Sequence, residues 1–150
     1  MQIGVIGPGD CGADVEALAE EVGREVARRG AVLVCGGLGG VMRGAARGAK
    51  AENGLTLGIL PGADPADAND FIDIVVPTGM GEARNALVVR ASDAIVAVHG
   101  GYGTLSEIAL ALGTGVPVVG LETWRITDDV VNAADPEEAV AAAIRLAERP

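Results

Sequence analysis

The stretch that decides the fold is Gln2-Ile-Gly-Val-Ile6 followed directly by Gly7-Pro-Gly-Asp-Cys-Gly12. The first part is a short, continuous apolar run, which is typical of a strand that is buried on both faces of a parallel sheet. After the glycine-rich second part, apolar residues from Val15 to Val26 recur at helical spacing. A buried strand, a glycine-rich turn and an amphipathic helix in this order predict the start of a βαβ unit.

The same alternation continues along the chain. Five further apolar runs are predicted to be strands: Val32–Cys35, Leu55–Leu60, Phe71–Val75, Ala94–Val98 and Val116–Gly120. Helical patterns cover Val41–Asn53, Arg84–Ala91, Leu105–Leu112 and Pro136–Ala147. We therefore expect an α/β fold, a Rossmann-like three-layer sandwich with a mostly parallel sheet of about six to seven strands, forming a single domain over residues 1–150.

Composition excludes several classes of function. The net charge of −10 repels phosphate backbones, and only three aromatic residues are present, so we expect no binding to nucleic acid. The longest apolar run, Ile108–Leu121, is interrupted by Gly113, Gly115 and Pro117, so we expect no membrane-spanning helix and no membrane partner. The first residues show no pattern of a targeting segment, which predicts a cytoplasmic protein.

The residues that usually hold metals and cofactors are sparse. The chain has two cysteines, which form no CxxC pair, and His99 is its single histidine. These residues provide no ligand spacing for zinc or haem, so we expect no metal and no bound cofactor. The one lysine, Lys50, falls late in a predicted helix, which disfavours Schiff-base chemistry with pyridoxal phosphate.

The first glycine loop has a GxGxxG pattern between a strand and a helix, where Gly7 and Gly9 would let a phosphate approach backbone amides. Pro8 removes one of those amide donors. The second strand ends in Cys35-Gly-Gly37, where a dinucleotide site needs an acid for the ribose, so an NAD-dependent dehydrogenase is disfavoured. Ligand contact and a simple tight turn remain alternatives for this loop.

The second glycine loop follows the second strand and contains Gly36, Gly37, Gly39 and Gly40. So many glycines between a buried strand and a helix favour close approach of a phosphate or ribose over simple packing. The loop lacks the Lys-Ser/Thr ending of a Walker A motif, so ATP hydrolysis is not implied. Arg43 and Arg47, one helical turn apart behind the loop, either assist an anion or are merely solvated.

The segment Thr78-Gly-Met-Gly-Glu-Ala-Arg-Asn85 follows the fourth predicted strand. It places Arg84 in the first turn of a helix, where the helix dipole disfavours a cation unless an anion offsets it. We therefore predict that Arg84 contacts a phosphate or ribose, with Met80 and Asn85 of the same segment as further ligand contacts.

The last glycine loop precedes the fourth helical pattern, and its candidate ligand-binding residues are His99, Gly100, Gly101, Tyr102, Gly103 and Thr104. Thr104 and Glu107 have the spacing of a capping box, which predicts Thr104 at the N-cap of the helix. The same geometry places the Glu107 carboxylate beside an anion-binding loop, where it can orient water or a ribose hydroxyl. Both roles can coexist, and Tyr102 is a plausible partner for stacking.

Three segments together resemble the Lonely Guy superfamily: Gly36-Gly-Leu-Gly-Gly-Val-Met42, Gly79-Met-Gly-Glu-Ala-Arg-Asn85 and Gly100-Gly-Tyr-Gly-Thr-Leu-Ser-Glu107. The last looks like the PGGxGTxxE motif of that superfamily, and the similarity runs to about Trp124. Members include nucleoside 5′-monophosphate phosphoribohydrolases, often mislabelled lysine decarboxylases, and molybdenum-cofactor carrier proteins. The resemblance implies that Arg84 and Glu107 act at an N-glycosidic bond, and that the turn around Gly100 binds phosphate.

The chain departs from the phosphoribohydrolases at two motif positions. His99 replaces a proline, and Glu-Ala-Arg-Asn replaces His-x-Arg-Lys, as in the short branch related to the cofactor carriers. The resemblance therefore implies a phosphate-bearing, nucleotide-like ligand, with three alternatives. In the first, the protein hydrolyses nucleoside 5′-monophosphates to free base and ribose 5-phosphate. In the second, it is a non-enzymatic carrier or sensor of a molybdenum, pterin or nucleotide cofactor. The third, which the residues and not the resemblance leave open, is an interaction module whose glycines only allow tight packing. A homodimer or higher homo-oligomer is also implied.

Overall fold

The computed structural model describes residues 1–149, which form a seven-stranded sheet flanked by helices. The strands are β1 (Gln2–Ile6), β2 (Val32–Cys35), β3 (Thr56–Leu60), β4 (Ile74–Pro77), β5 (Ala94–Val98), β6 (Val118–Leu121) and β7 (Val130–Asn132). The α-helices are α1 (Ala13–Arg28), α2 (Val41–Ala51), α3 (Asn85–Arg90), α4 (Tyr102–Gly113) and α5 (Pro136–Ala147). Two short 3-10 helices cover Pro65–Asp67 and Gly81–Arg84.

The predicted α/β architecture is confirmed. All strand pairs are parallel, and the strand order is β4-β3-β2-β1-β5-β6-β7. Helices α1, α2 and α5 cover one face of the sheet, whereas α3 and α4 cover the other. Within residues 1–149, no helix has both the length and the hydrophobicity required to span a bilayer.

The order of the strands reverses at β1. From β1 the chain builds outward to β4 on one side, and from β5 it builds outward to β7 on the other. In open parallel sheets the carboxyl ends of the strands at such a reversal leave a crevice between loops that diverge to opposite faces. The loops after β1, β2 and β5 are therefore positioned around one opening.

The edge strands differ most from the sequence-based expectation. Strand β4 begins at Ile74 rather than at Phe71, because Phe71 and Ile72 pack against the core beside α2 instead of pairing in the sheet. Ile74 and Val76 are exposed, so the edge strand has no buried apolar face that would mark its register. Strand β7 was missed because only Val130 of its three residues is buried.

Helices α1 and α2 contact each other backbone to backbone. A Cβ atom on Gly23 would overlap the carbonyl oxygen of Ala45, and one on Gly48 would overlap that of Glu20. Arg47 ties the same pair of helices together, with Nη1 at 2.9 Å from Glu16 and Nη2 at 2.8 Å from Glu20. The hypothesis that Arg47 assists a bound anion is therefore wrong, because its charge is already paired with α1.

Candidate functional site

A cavity of about 340 Å³ opens at the carboxyl ends of the central strands, where the strand order reverses. Its walls come from the ends of β1 and β2, the loops after them, and the segments around α3 and α4. They comprise Val5, Ile6, Gly7, Pro8, Gly9, Gly36, Leu38, Met42, Pro61, Glu82, Arg84, Asn85, Gly101, Gly103, Thr104 and Glu107. The cavity therefore combines residues from all four glycine-containing segments that the sequence singles out.

Arg84 is the dominant positive group of the cavity. It lies at the junction of the second 3-10 helix and α3, and it is 8% exposed. Its Nη1 donates to Asn85 Oδ1 at 2.6 Å and its Nη2 to the Gly36 carbonyl at 3.3 Å. Its Nε is buried without a hydrogen-bond partner. Within residues 1–149 no carboxylate oxygen lies within 4.0 Å of this guanidinium, so its charge is not paired.

Glu107 is the matching acidic group. It lies on the buried side of α4 and is 6% exposed, and burial raises its pKa to about 7 although the positive charge of Arg84 opposes the rise. Burial likewise lowers the pKa of Arg84, while the charge of Glu107 raises it. The two side chains thus influence each other electrostatically without direct contact. A carboxyl group with a pKa near neutrality can both hold and release a proton at pH 7.

The predicted capping box is wrong. Helix α4 begins at Tyr102, its N-cap is Gly101, and no side chain caps it. The helix starts earlier because the Leu105 amide already donates to the Gly101 carbonyl at 3.1 Å. The preceding loop is also contacted from the segment after β6, where the Thr123 hydroxyl donates to the His99 carbonyl and Trp124 Nε1 donates to the Gly101 carbonyl at 3.1 Å. Thr104 and Glu107 consequently lie one turn apart inside the helix, and both border the cavity.

Gly36 is needed for the position of Arg84. A Cβ atom on Gly36 would lie 2.6 Å from Arg84 Nη2 and 2.6 Å from Met42 Sδ. Any larger residue would therefore displace the guanidinium or the Met42 side chain. Gly7 and Gly9 of the first loop also border the cavity.

The other glycines of the second loop lie outside the cavity walls formed by residues 1–149. Gly37 packs against Leu60, and its carbonyl accepts the backbone amide of Asn69 at 2.9 Å. Gly39 and Gly40 pack against the backbone of the first loop, where the amide of Val41 donates to the Pro8 carbonyl at 3.0 Å. These three glycines therefore support the loop through packing, and their ligand contacts stay a prediction.

Four further candidates do not line this cavity, and their ligand contacts stay a prediction. Met80 is 49% exposed, and His99 Nε2 lies 2.7 Å from a carboxylate oxygen of Glu122. Gly100 packs against Trp124. Tyr102 is 85% exposed and borders a neighbouring cavity of about 440 Å³. Arg43, proposed above as an aid to anion binding, is exposed on α2.

Several residues of the cavity were not anticipated. Pro61 directly follows β3 at the same edge of the sheet. Its place in the cavity wall could have been predicted, because ligands of open parallel sheets bind at the carboxyl ends of the strands. Glu82 lies two residues before Arg84 in the same segment. Its acidic side chain gave no reason to expect it beside a proposed phosphate contact. Val5, Ile6, Leu38 and Met42 carry no sequence signal beyond hydrophobicity.

Comparison with models of protein families shows which family the chain belongs to. The model of the SLOG cluster4 family matches residues 1–148. The chain belongs to this family. The resemblance to the Lonely Guy superfamily is thereby confirmed.

Two solved structures of molybdenum-cofactor proteins match this SLOG cluster4 member over nearly its full length. The molybdenum cofactor binding protein from Rippkaea orientalis is 37% identical, with a TM-score of 0.91 over 97% of this chain and 96% of that one. The molybdenum cofactor carrier protein from Chlamydomonas reinhardtii is 37% identical, with a TM-score of 0.88 over 99% and 98%.

A related enzyme matches over a smaller part. The cytokinin riboside 5′-monophosphate phosphoribohydrolase of Mycobacterium tuberculosis is 37% identical over 124 residues, which are 75% of this chain and 65% of the enzyme. The SLOG cluster4 chain thus spans about two thirds of the length of this enzyme.

Proposed function

We propose that this protein binds a phosphate-bearing, nucleotide-like small molecule in the cavity around Arg84 and Glu107. The observation that carries the proposal is the Arg84 guanidinium, which is buried, unpaired with any carboxylate of residues 1–149, and has an unpartnered Nε. A buried donor without a partner costs about 1–3 kcal/mol, and more when it is charged. A bound phosphate would remove this cost, because guanidinium and phosphate form strong charge-assisted hydrogen bonds.

The loop before α4 supports the same ligand class. Gly101 is the N-cap of a twelve-residue helix, and Gly103 lies in its first turn. Both residues border the cavity, so the unpaired amides of this first turn lie at the cavity wall beside Arg84. A helix start of this kind and a buried arginine both favour a negative charge.

The proposed reaction is hydrolysis of the N-glycosidic bond of a nucleoside 5′-monophosphate. The bond between C1′ and the base nitrogen breaks, its electron pair leaves with the base, and the oxygen of a water molecule bonds to C1′. The Glu107 carboxylate would stabilise the positive charge that develops on the ribose and accept a proton from the water. Arg84 would hold the phosphate or ribose, and the proton would finally reach the released base. The similarity to the mycobacterial phosphoribohydrolase supports this reaction.

A second function, binding and carrying a molybdenum or pterin cofactor without turnover, is supported by a separate observation. The solved structures of the cofactor binding protein of R. orientalis and of the carrier of C. reinhardtii cover 97% and 99% of this chain, whereas the sequence of the enzyme aligns with 75% of it. In this case the phosphate of the cofactor would meet Arg84, and Glu107 would contact the ligand without catalysing a reaction.

We also propose a homo-oligomer, with a homodimer as the simplest form. Leu87 of α3 and Leu110 of α4 are 37% and 40% exposed on the same side of the sheet. Apolar side chains in adjacent helices favour association with a second copy. Light scattering coupled to size-exclusion chromatography measures the mass directly, and a monomer at micromolar concentration would contradict this part of the proposal.

A thermal-shift panel of AMP, GMP, CMP, ribose 5-phosphate and a pterin phosphate tests the function, with free base measured by chromatography in the same samples. Stabilisation is expected for the wild type and not for Arg84→Met. Arg90→Met is the matched control, since Arg90 is an exposed arginine at the end of α3. Release of base supports the hydrolase, and stabilisation without release supports the carrier. If no ligand stabilises the protein at millimolar concentration, ligand binding is refuted, and the interaction module remains.

A further inference from the structure

Two of the three aromatic residues of the chain lie together beside the cavity. The rings of Tyr102 and Trp124 are stacked, with their centroids 6.3 Å apart and an interplanar angle of 24°. Tyr102 is 85% exposed, which is unusual for a large aromatic side chain in a protein with so few of them. Trp124 packs against the hydrophobic core, whereas the Tyr102 ring lies outside it.

The aromatic pair is attached to the glycine loop by several contacts. Trp124 Nε1 donates to the Gly101 carbonyl at 3.1 Å, and the indole ring packs on Gly100. The neighbouring Thr123 hydroxyl donates to the carbonyl of His99. Trp124 is thereby fixed in position and supports one side of the Tyr102 ring.

The uncovered part of the Tyr102 ring borders open space next to the Arg84 site. The cavity of about 440 Å³ is lined by Tyr102 but not by Trp124, and most of the Tyr102 side chain is exposed. This cavity shares Glu82, Asn85 and Gly103 with the cavity that contains Arg84. A ligand whose phosphate lies at Arg84 can therefore extend across this common wall.

The geometry points to a second subsite in which a planar nitrogen heterocycle stacks on Tyr102, with Trp124 supporting that ring from behind. This inference rests on the proposed function and specifies which part of the ligand the second cavity takes. A purine base or a pterin has the required shape, and both are flat aromatic systems that stack on tyrosine irrespective of their edge groups. Arg84 would thus bind the phosphate end of the ligand and Tyr102 its ring.

Equilibrium binding of two ligands that differ only in the ring tests this subsite. Dissociation constants for AMP and ribose 5-phosphate are measured by calorimetry in the Glu107→Gln background, which keeps AMP intact. A pterin phosphate is titrated in parallel, which distinguishes the two sources of the ring. Tyr102→Ala is expected to weaken the binding of the ring-bearing ligand by about tenfold or more. It should change the dissociation constant of ribose 5-phosphate by less than about twofold.

Two further variants separate stacking from local packing. Tyr102→Phe keeps the ring, so it is expected to retain the affinity for AMP or the pterin phosphate. Arg90→Ala alters an exposed residue at the end of α3 that lines neither cavity, and it should leave both affinities unchanged. Because Tyr102 is 85% exposed, its replacement by alanine should not affect folding, which circular dichroism checks.

The outcomes distinguish this inference from the proposed function. The ring subsite is refuted if ribose 5-phosphate binds and Tyr102→Ala weakens its binding as much as that of AMP. The ring subsite is also refuted if Tyr102→Ala changes the affinity for neither ligand. In both cases the phosphate site stands. If neither ligand nor the pterin phosphate binds the Tyr102-containing protein, both are refuted. If Tyr102→Ala converts a dimer to a monomer while ligand affinities stay constant, the exposed ring serves contact with a second copy, which also overturns the inference.

Discussion

Replacing Glu107 by glutamine should stabilise the protein at neutral and alkaline pH but not at acidic pH. Burial raises the pKa of this carboxyl group from 4.5 to about 7 in the folded protein, whereas in the unfolded chain it titrates near its ordinary value. Between about pH 4.5 and pH 7 the folded state therefore retains a proton that the unfolded state releases. Stability contributed by this group is complete below that range and is lost as the pH rises through it.

The size of the effect follows from the same two values. A pKa difference between 4.5 and about 7, at 1.36 kcal/mol per pKa unit, corresponds to about 3 kcal/mol. Glutamine has nearly the same shape and no charge, so Glu107→Gln should match the wild type near pH 4 and exceed its free energy of unfolding by about 3 kcal/mol near pH 8. For a chain of this length that is roughly 10 °C in melting temperature.

Urea denaturation of wild type and Glu107→Gln from pH 4 to pH 8.5 measures this difference. Other carboxyl groups titrate equally in both proteins and cancel. Glu82→Gln is the matched control, since Glu82 is an exposed carboxylate in the wall of the same cavity and should change stability by less than about 0.5 kcal/mol throughout. Parallel curves for Glu107→Gln and wild type would show that the carboxylate is not penalised by burial, and the argument would fail.

Four more outcomes follow from the site and from the helices behind it. Arg84→Met should weaken ribose 5-phosphate binding by at least about tenfold in calorimetry, and it should raise the pKa of Glu107 above 7 in an NMR titration, because Arg84 holds that pKa down. Gly36→Ala should also weaken binding by about tenfold, because its Cβ would lie 2.6 Å from Arg84 Nη2; unchanged affinity would contradict the assigned role of Gly36. Gly48→Ala should lower the free energy of unfolding by about 2 kcal/mol or more, since a Cβ there meets the backbone of α1. Gly113→Ala, where nothing lies within 4 Å, is the control for both glycines and should leave stability unchanged or raised.

The layered α/β fold could be predicted from the sequence because its two kinds of element have different hydrophobic patterns. Buried parallel strands are continuous apolar runs, whereas amphipathic helices repeat apolar residues at helical spacing. The centre of the sheet was predicted with correct bounds for β1, β2 and β5, where burial on both faces enforces a continuous apolar run. At the edges this constraint is absent, so β4 was misplaced and β7 was missed. Local hydrophobicity cannot indicate which residues pair when one side of a strand faces solvent.

The candidate site was predictable to the extent that its residues lie in loops after strands. Arg84 was singled out by its unfavourable place near a helix start, and the structure brings it into one cavity with Glu107. The predicted start of α4 was wrong, and the loop before this helix is contacted by Thr123 and Trp124 from about twenty residues away. The pairing of Arg47 with α1 was missed for the same reason, since tertiary contacts leave no trace in local spacing.

The direct contact between the backbones of α1 and α2 separates the cavity into a fixed side and an adaptable side. Each of these helices follows one of the first two glycine loops, and the loops themselves touch through Val41 and Pro8. At Gly23 and Gly48 no side chain separates the two backbones, so a substitution there changes stability before it changes ligand preference. The opposite wall is carried by α3 and α4, whose outer surfaces include the exposed Leu87, Tyr102 and Leu110. New ligand specificity in this fold is therefore expected to arise by changes on the α3–α4 side, which also carries Arg84 and Glu107, while the α1–α2 side stays constant.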